Sequence, residues 1–204
     1  TDRKMRVASV YLAVFAAIFV GGSTMAASGP KGPCDIYAAA NTPCVAAHSM
    51  VRALYADYSG PLYELRRVSD NTTKQIRVTA GTGFADSGAQ TAFCPPSTKC
   101  YIQKIFDQSG RNNHLIKVPL NHKPMAWPTK PPNAMREQIT VGGNPVYSAY
   151  FEGGQNSGGG QNATNYGTMG FRSNNKNGTA VGDDPETIYA VVSGRHFNAR
   201  CCFD

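Results

Sequence analysis

Short apolar runs bounded by turn residues recur along this chain, and a single longer segment shows helical spacing. Leu62 to Val68 and Gln75 to Thr79 read as neighbouring strands, joined by the polar, turn-rich stretch Ser69 to Thr73. Tyr101 to Phe106 is a further strand, and Asp107 to Leu115 turns out of it. Ile139 to Val141 and Val146 to Phe151 flank Gly142-Gly143-Asn144-Pro145, the pattern of a hairpin. Thr187 to Val192 predicts a final strand. Against these, Ala47, Val51, Leu54, Tyr55 and Tyr58 fall on one helical stripe. Thr42 is placed to cap it and Pro43 to open it, so the spacing predicts a helix over 43–57, ended by Ser59-Gly60-Pro61. Gly81 to Ala92 is small and polar and reads as a loop. Residues 117–136 hold five prolines and Trp127 without periodicity, an irregular excursion over the surface. Gly153 to Gly182, rich in Gly and Asn with isolated Tyr166, Met169 and Phe171, reads as a long binding loop.

Composition agrees with the pattern. At 204 residues and 41% apolar, the chain supports one domain with a core, and 21 Gly with 13 Pro suit a loop-rich all-β domain. The net charge of +7 is scattered, with Arg66-Arg67 its densest spot. No basic stripe with interleaved aromatics appears, so no nucleic-acid partner is expected. Residues 5–26 resemble a secretory signal peptide preceded by four upstream residues. Arg6 supplies the positive end, Val7 to Val20 the apolar run, and Thr24-Met25-Ala26 the small residues for cleavage. That run is shorter than the roughly 20 residues a membrane helix needs. The expected product is secreted and, once the signal is removed, not bound to a membrane.

Export into an oxidising compartment favours disulfides over zinc for the six cysteines. Six allow fifteen pairings, of which the most local is Cys34–Cys44, Cys94–Cys100 and Cys201–Cys202. Bonding within the adjacent pair closes a tight ring, because neighbouring Cα atoms lie about 3.8 Å apart, below the usual disulfide range. Such a ring is a flat apolar knob on which one face of a sugar can rest; pairing of each with a distant cysteine is the alternative. A zinc site built on His48 or His196 lacks paired CxxC spacing, so no metal is expected. His48 and Arg52 sit one turn apart on the predicted helix, as a polar site or as a flank facing loops. Asp107 is either a catalytic carboxylate or, given its Gln, Ser, Gly and Asn neighbours, the centre of a hydrogen-bonded turn. Asn71, Asn162 and Asn177 each open an N-glycosylation sequon.

The segments Gly32-Pro-Cys-Asp-Ile-Tyr37, Thr42-Pro-Cys-Val-Ala-Ala-His-Ser49, Arg52-Ala-Leu-Tyr55, Phe106-Asp-Gln-Ser-Gly110, Asn113-His-Leu115, Tyr189-Ala-Val191 and Cys201-Cys-Phe-Asp204 run in one order over nearly all of 32–204. Together they resemble the catalytic domain of the α-L-arabinofuranosidase B family, glycoside hydrolase family 54. The resemblance implies a concanavalin-like β-sandwich of jelly-roll type and supports the three local disulfides. It makes the vicinal Cys201–Cys202 bridge a wall of the arabinose pocket, with Cys201 and Cys202 as substrate-binding residues. It implies release of terminal α-L-arabinofuranosyl groups from arabinan and arabinoxylan with retention, no cofactor, and an arabinose-containing plant cell-wall polysaccharide as partner. In that family the nucleophilic Glu and the acid/base Asp both follow the Cys-Cys-Phe-Asp segment. The resemblance therefore puts no catalytic residue in this chain. It makes 27–204 the N-terminal part of a truncated sandwich, inactive alone and lacking the C-terminal part and the arabinose-binding module. The competing expectation is a non-catalytic secreted carbohydrate-binding or interaction protein complete at residue 204.

Overall fold

The computed structural model describes residues 29–117, 131–151 and 170–194. Its elements are α1 (Pro33–Ala39), β1 (Pro61–Arg67), β2 (Thr73–Arg77), α2 (Ser87–Phe93), β3 (Cys100–Ile105), β4 (Leu115–Lys117), β5 (Glu137–Val141), β6 (Asn144–Ser148) and β7 (Phe171–Ser173). One antiparallel sheet has the order β2-β1-β3-β4-β7, and β5 with β6 forms a separate hairpin. The all-β class expected from the pattern holds.

β1 is central because its side chains are. Pro61 occupies the first position, where the missing N–H is tolerated, and Leu62, Tyr63 and Leu65 are fully buried. On β3, Cys100, Ile102 and Ile105 face the same core. The pairing steps from Glu64↔Lys104 to Leu65↔Ile102, which leaves Gln103 as the extra residue of a bulge. The bulge keeps Ile102 on the core side of the sheet. In the β5–β6 hairpin, Gly142 and Gly143 hold φ of 54° and 77°, the left-handed pair that a two-residue turn requires. The turn is thus shorter than expected, and Pro145 pairs with Thr140 inside the ladder. Val146 is buried, and Ile139 and Val141 pack on the same cluster as β1 and β3.

Two bridges staple this core. Cys34–Cys44 ties the start of α1 to the chain after it, and Cys94–Cys100 ties the end of α2 to the start of β3. α2 occupies part of the stretch expected to be a loop. Asp86 caps it by accepting from the Ala89 N–H at 2.8 Å. Its Gln90 is buried: it accepts from the Tyr63 hydroxyl and donates to the Ala134 carbonyl at 2.7 Å.

The helix expected over 43–57 does not form; the helix lies earlier, at Pro33–Ala39. Pro33 opens it, and the Asp35 carboxylate accepts from the Gly32 N–H at 2.7 Å and the Ala56 N–H at 2.8 Å. Residues 45–56 are instead drawn out between other segments. The N–H of Ala53 donates to Gly83 O, that of Ala85 to Val51 O, that of Cys34 to Leu54 O and that of Gln108 to Ala47 O. Each of these backbone groups has a tertiary partner, so local helical spacing loses. Gly32 is needed there for space alone, since a Cβ on it would run into the Leu54 backbone.

The strand expected over Thr187–Val192 also does not form. Ile188 is 83% exposed and Val191 92%. β-propensity is expressed only where a neighbour supplies the ladder and the packing, and no described strand pairs with this run. Hydrogen exchange is expected to show it. The amides of Leu62 to Leu65 and Ile102 to Ile105 should be protected, while those of Ile188 to Val192 should exchange as in an unstructured peptide. Slow exchange across 188–192 in a monomeric sample would contradict the assignment.

Candidate functional site

The loop that follows β3 gathers three parts of the chain. Asp107 leaves the strand only 5% exposed, and its carboxylate accepts four hydrogen bonds. Oδ1 takes the N–H of Ala47 and of Ser109, both at 2.9 Å. Oδ2 takes the Ser109 hydroxyl at 2.8 Å and the Asn113 N–H at 2.9 Å. Burial pushes this carboxyl's pKa up, but the hydrogen bonds from Ser109, Ala47 and Asn113 outweigh it and hold the group below the ordinary carboxylate range. An ionised acceptor whose oxygens face four donors is a structural hub, with little left to give a reaction.

Neighbouring side chains extend the hub. The Asp107 N–H donates to His114 Nδ1 at 3.0 Å, and His48 Nε2 donates to the Asn113 carbonyl at 2.8 Å. Asn113, 1% exposed, uses its side-chain amide as a strand would use its backbone. Nδ2 donates to Val45 O and Asn177 O, and Oδ1 accepts from the Asn177 N–H. Gln108 accepts from the Leu54 N–H at 2.7 Å and donates to Arg52 O at 3.3 Å. The three stretches 45–54, 107–114 and 175–177 are thereby sewn into one unit.

Beside this unit lies an open cleft of about 420 Å³ lined by Tyr55, Asp57, Tyr58, Ser59, Gly60 and the turn residues Gln108 to Gly110. Most of its polar atoms are already engaged: the Tyr58 hydroxyl donates to Pro61 O at 2.6 Å, and Ser109 and Gln108 serve the hub. Burial raises the pKa of both tyrosines, so they stay neutral hydroxyls. Asp57 is the cleft's one carboxylate, and a pair able to act as acid and nucleophile is not assembled there.

His48 and Arg52 do not share a helix face. Arg52 lies over the Phe84 ring, 5.8 Å from its centroid, and donates from Nε to Ala53 O. Asn71 sits at the β1–β2 turn and Asn177 against the hub. Cys201, Cys202, Asn162, Trp127 and His196 lie outside the described residues, as does the expected signal at 5–26. Among the described residues, no group of three His, Cys, Asp or Glu is placed to hold a metal. The role of Asn113 was not anticipated; its signal was the Asx-rich run after Asp107.

The hub makes stability depend on acid in two stages. Burial, with Lys104 nearby, lowers the His114 pKa, so folding favours the neutral ring and stability falls as pH drops below about 6.5, the unfolded value. Asp107's pKa is also depressed, so its contribution is complete above about pH 4 and is lost as pH falls through its folded value. His114→Gln should flatten the first stage in an acid titration followed by circular dichroism. Asp107→Asn sets an amide NH₂ against N–H donors and should cost about 3 kcal/mol, read as a drop of roughly 10 °C in Tm. An unchanged Tm would remove Asp107 from the centre of the fold.

The comparisons with known proteins match this frame. The family model described as α-L-arabinofuranosidase B, catalytic, covers residues 33–204. The α-L-arabinofuranosidase B of Aspergillus niger is 42% identical over 183 residues, which span 88% of this chain and 34% of that enzyme. That of Emericella nidulans is 41% identical over 194 residues, 94% of this chain and 34% of the enzyme. A solved arabinofuranosidase in complex with arabinofuranosyl-α-1,2-xylobiose superposes with a TM-score of 0.62 at 39% identity, over 74% of this chain and 29% of that one. An α-L-arabinofuranosidase of glycoside hydrolase family 54 soaked with a cyclic sulfate inhibitor gives 0.54 at 42% identity, over 59% of this chain and 25% of that one. The chain thus spans about a third of the length of the relatives it matches, and over residues 33–204 it belongs to the α-L-arabinofuranosidase B catalytic family.

Proposed function

We propose that this chain is part of a secreted retaining glycoside hydrolase that removes terminal α-L-arabinofuranosyl groups from arabinan and arabinoxylan. The observation that carries the reading is the family match over 33–204, with relatives named for that activity at 42% and 41% identity. A solved relative bound to an arabinofuranosyl-xylobiose supports a branched xylan side chain as substrate. On this reading Cys201 and Cys202 form a vicinal bridge that walls the arabinose pocket, and the sugar lies against the sulfurs.

Retention needs two carboxyls about 5–5.5 Å apart, one to attack the anomeric carbon and one to protonate the leaving oxygen and later activate water. Several described carboxylates hold structural positions. Asp107 is the hub, Asp35 and Asp86 hold the starts of the two helices, and Asp70 pairs with Arg67 at 2.7 Å. Asp184 accepts from the Val181 N–H at 3.0 Å. With these five carboxylates committed to the fold, the reading draws its catalytic pair from the part of the family's length that this chain does not span.

Assayed on 4-nitrophenyl α-L-arabinofuranoside, residues 27–204 alone should release no arabinose above the uncatalysed rate. The same residues joined to the remaining length of a family member should be active, with the first-formed sugar retaining its anomeric configuration by NMR. Release by 27–204 alone would place the carboxyl pair within this chain, and inversion would remove the double-displacement chemistry. Peptide mass mapping of the active protein should find Cys201 joined to Cys202; either thiol free would take away the pocket wall.

A further inference from the structure

Two sequons of identical form lie among the described residues, and the fold treats them differently. We propose that Asn71 is N-glycosylated and Asn177 is not, and that the glycan on Asn71 screens the β2 edge of the five-stranded sheet. The inference rests on the export reading given above.

The reaction needs an accessible Asn amide nitrogen and the hydroxyl of the third residue. The amide nitrogen loses a proton and bonds to the anomeric carbon of an oligosaccharide, as that carbon's bond to its lipid-pyrophosphate carrier breaks and the pyrophosphate leaves with the electron pair. At Asn71-Thr72-Thr73 both groups are open. Asn71 stands exposed at the tip of the β1–β2 turn with φ of 57°, the left-handed conformation that Asn tolerates. Its Oδ1 accepts from Arg66 at 2.7 Å, which orients the amide, while its Nδ2 donates to no described residue. Thr72, the middle residue, takes the local bonding role by donating to Asp70 at 2.8 Å. The Thr73 hydroxyl is left without a partner among the described residues.

At Asn177-Gly178-Thr179 both groups are engaged. Asn177 keeps exposed surface, but its Nδ2 donates to Arg111 O at 2.8 Å. Its backbone N–H and carbonyl are both held by the side chain of Asn113. The Thr179 hydroxyl donates to Lys176 O at 3.2 Å. Gly178 has φ of 76°, and the Arg111 guanidinium lies where its Cβ would be, so Arg111 covers the middle of the sequon. A glycan on Asn177 would crowd the junction that joins this segment to the hub.

The site on Asn71 also has a physical use. β2 is an outer strand of the sheet, with every residue but Ile76 exposed. An open edge of unpaired N–H and C=O groups invites pairing with another chain. A bulky, hydrated glycan two residues before Thr73, the first residue of that edge, hinders such pairing.

The test is export of the full chain from a yeast host, in one arm behind residues 5–26 and in the other with a host leader joined at Ala27. Enzymatic deglycosylation in heavy-oxygen water marks each formerly glycosylated Asn as labelled Asp. The label is expected at Asn71 in most molecules and absent at Asn177. Label at Asn177, or none at Asn71 in the exported protein, overturns the assignment. Label only in the host-leader arm would sink the export reading while leaving the site assignment standing. For the edge, Thr73→Ala removes the sequon and Thr73→Ser keeps it. The alanine variant should at least double the associated fraction in sedimentation velocity, and equal association of the two variants overturns the screening role.

Discussion

The fold of this chain depends on one ionised carboxylate held away from water. Asp107 lies at the end of β3, and what it accepts comes from residues 47, 109 and 113. A buried carboxylate is tolerable only when its lone pairs are met by donors. That requirement dictates where the chain on either side must run. It helps explain why the chain at Ala47 is not helical, since Ala47 must present its N–H to Asp107 and its carbonyl to Gln108. It also explains why β7 can pair with β4 across more than fifty residues: Asn113, positioned by the same carboxylate, grips residue 177 just beyond β7.

Much of the frame was legible in the residues because it is locally determined. β1, β3 and the β5–β6 hairpin follow from apolar runs between turn residues, and the Cys34–Cys44 and Cys94–Cys100 bridges close short loops. The departures share a cause. Helical spacing at 47, 51, 54 and 55 is genuine in the sequence, yet the buried residues there are Ala47, Met50 and Ala53. Hydrogen bonds to residues 34, 83, 85, 107 and 108, all distant in sequence, decided the backbone. No window of local periodicity contains that information. α2 was hidden for the opposite reason: its one buried residue is polar, and Gln90 is buried only because Tyr63 and Ala134 complete its hydrogen bonds.

The candidate site was legible in kind but not in arrangement. Asp107 with its Ser and Asn neighbours pointed to a hydrogen-bonded turn, and the structure makes that turn the organiser of the domain. The residues that carry the proposed sugar chemistry, Cys201 and Cys202, are recognised from family likeness and lie outside the described residues. Within the described residues Asp35 and Asp86 cap, Asp70 bridges to Arg67 and Asp107 anchors. This part of the molecule is therefore best understood as the scaffold that a pocket is built against.

The outer strand β2 and the run Thr187–Val192 contrast in a way that bears on this division. β2 exposes Thr73, Lys74, Gln75 and Arg77, polar side chains suited to water. Thr187–Val192 exposes Ile188, Val191 and Val192, and each apolar Å² so left open forgoes about 25 cal/mol of burial. A polar edge is stable as a boundary; an apolar run with no core of its own gains from being covered. On the proposed reading, the part of the relatives' length that this chain does not span would cover Ile188 and Val191 and supply the carboxyl pair.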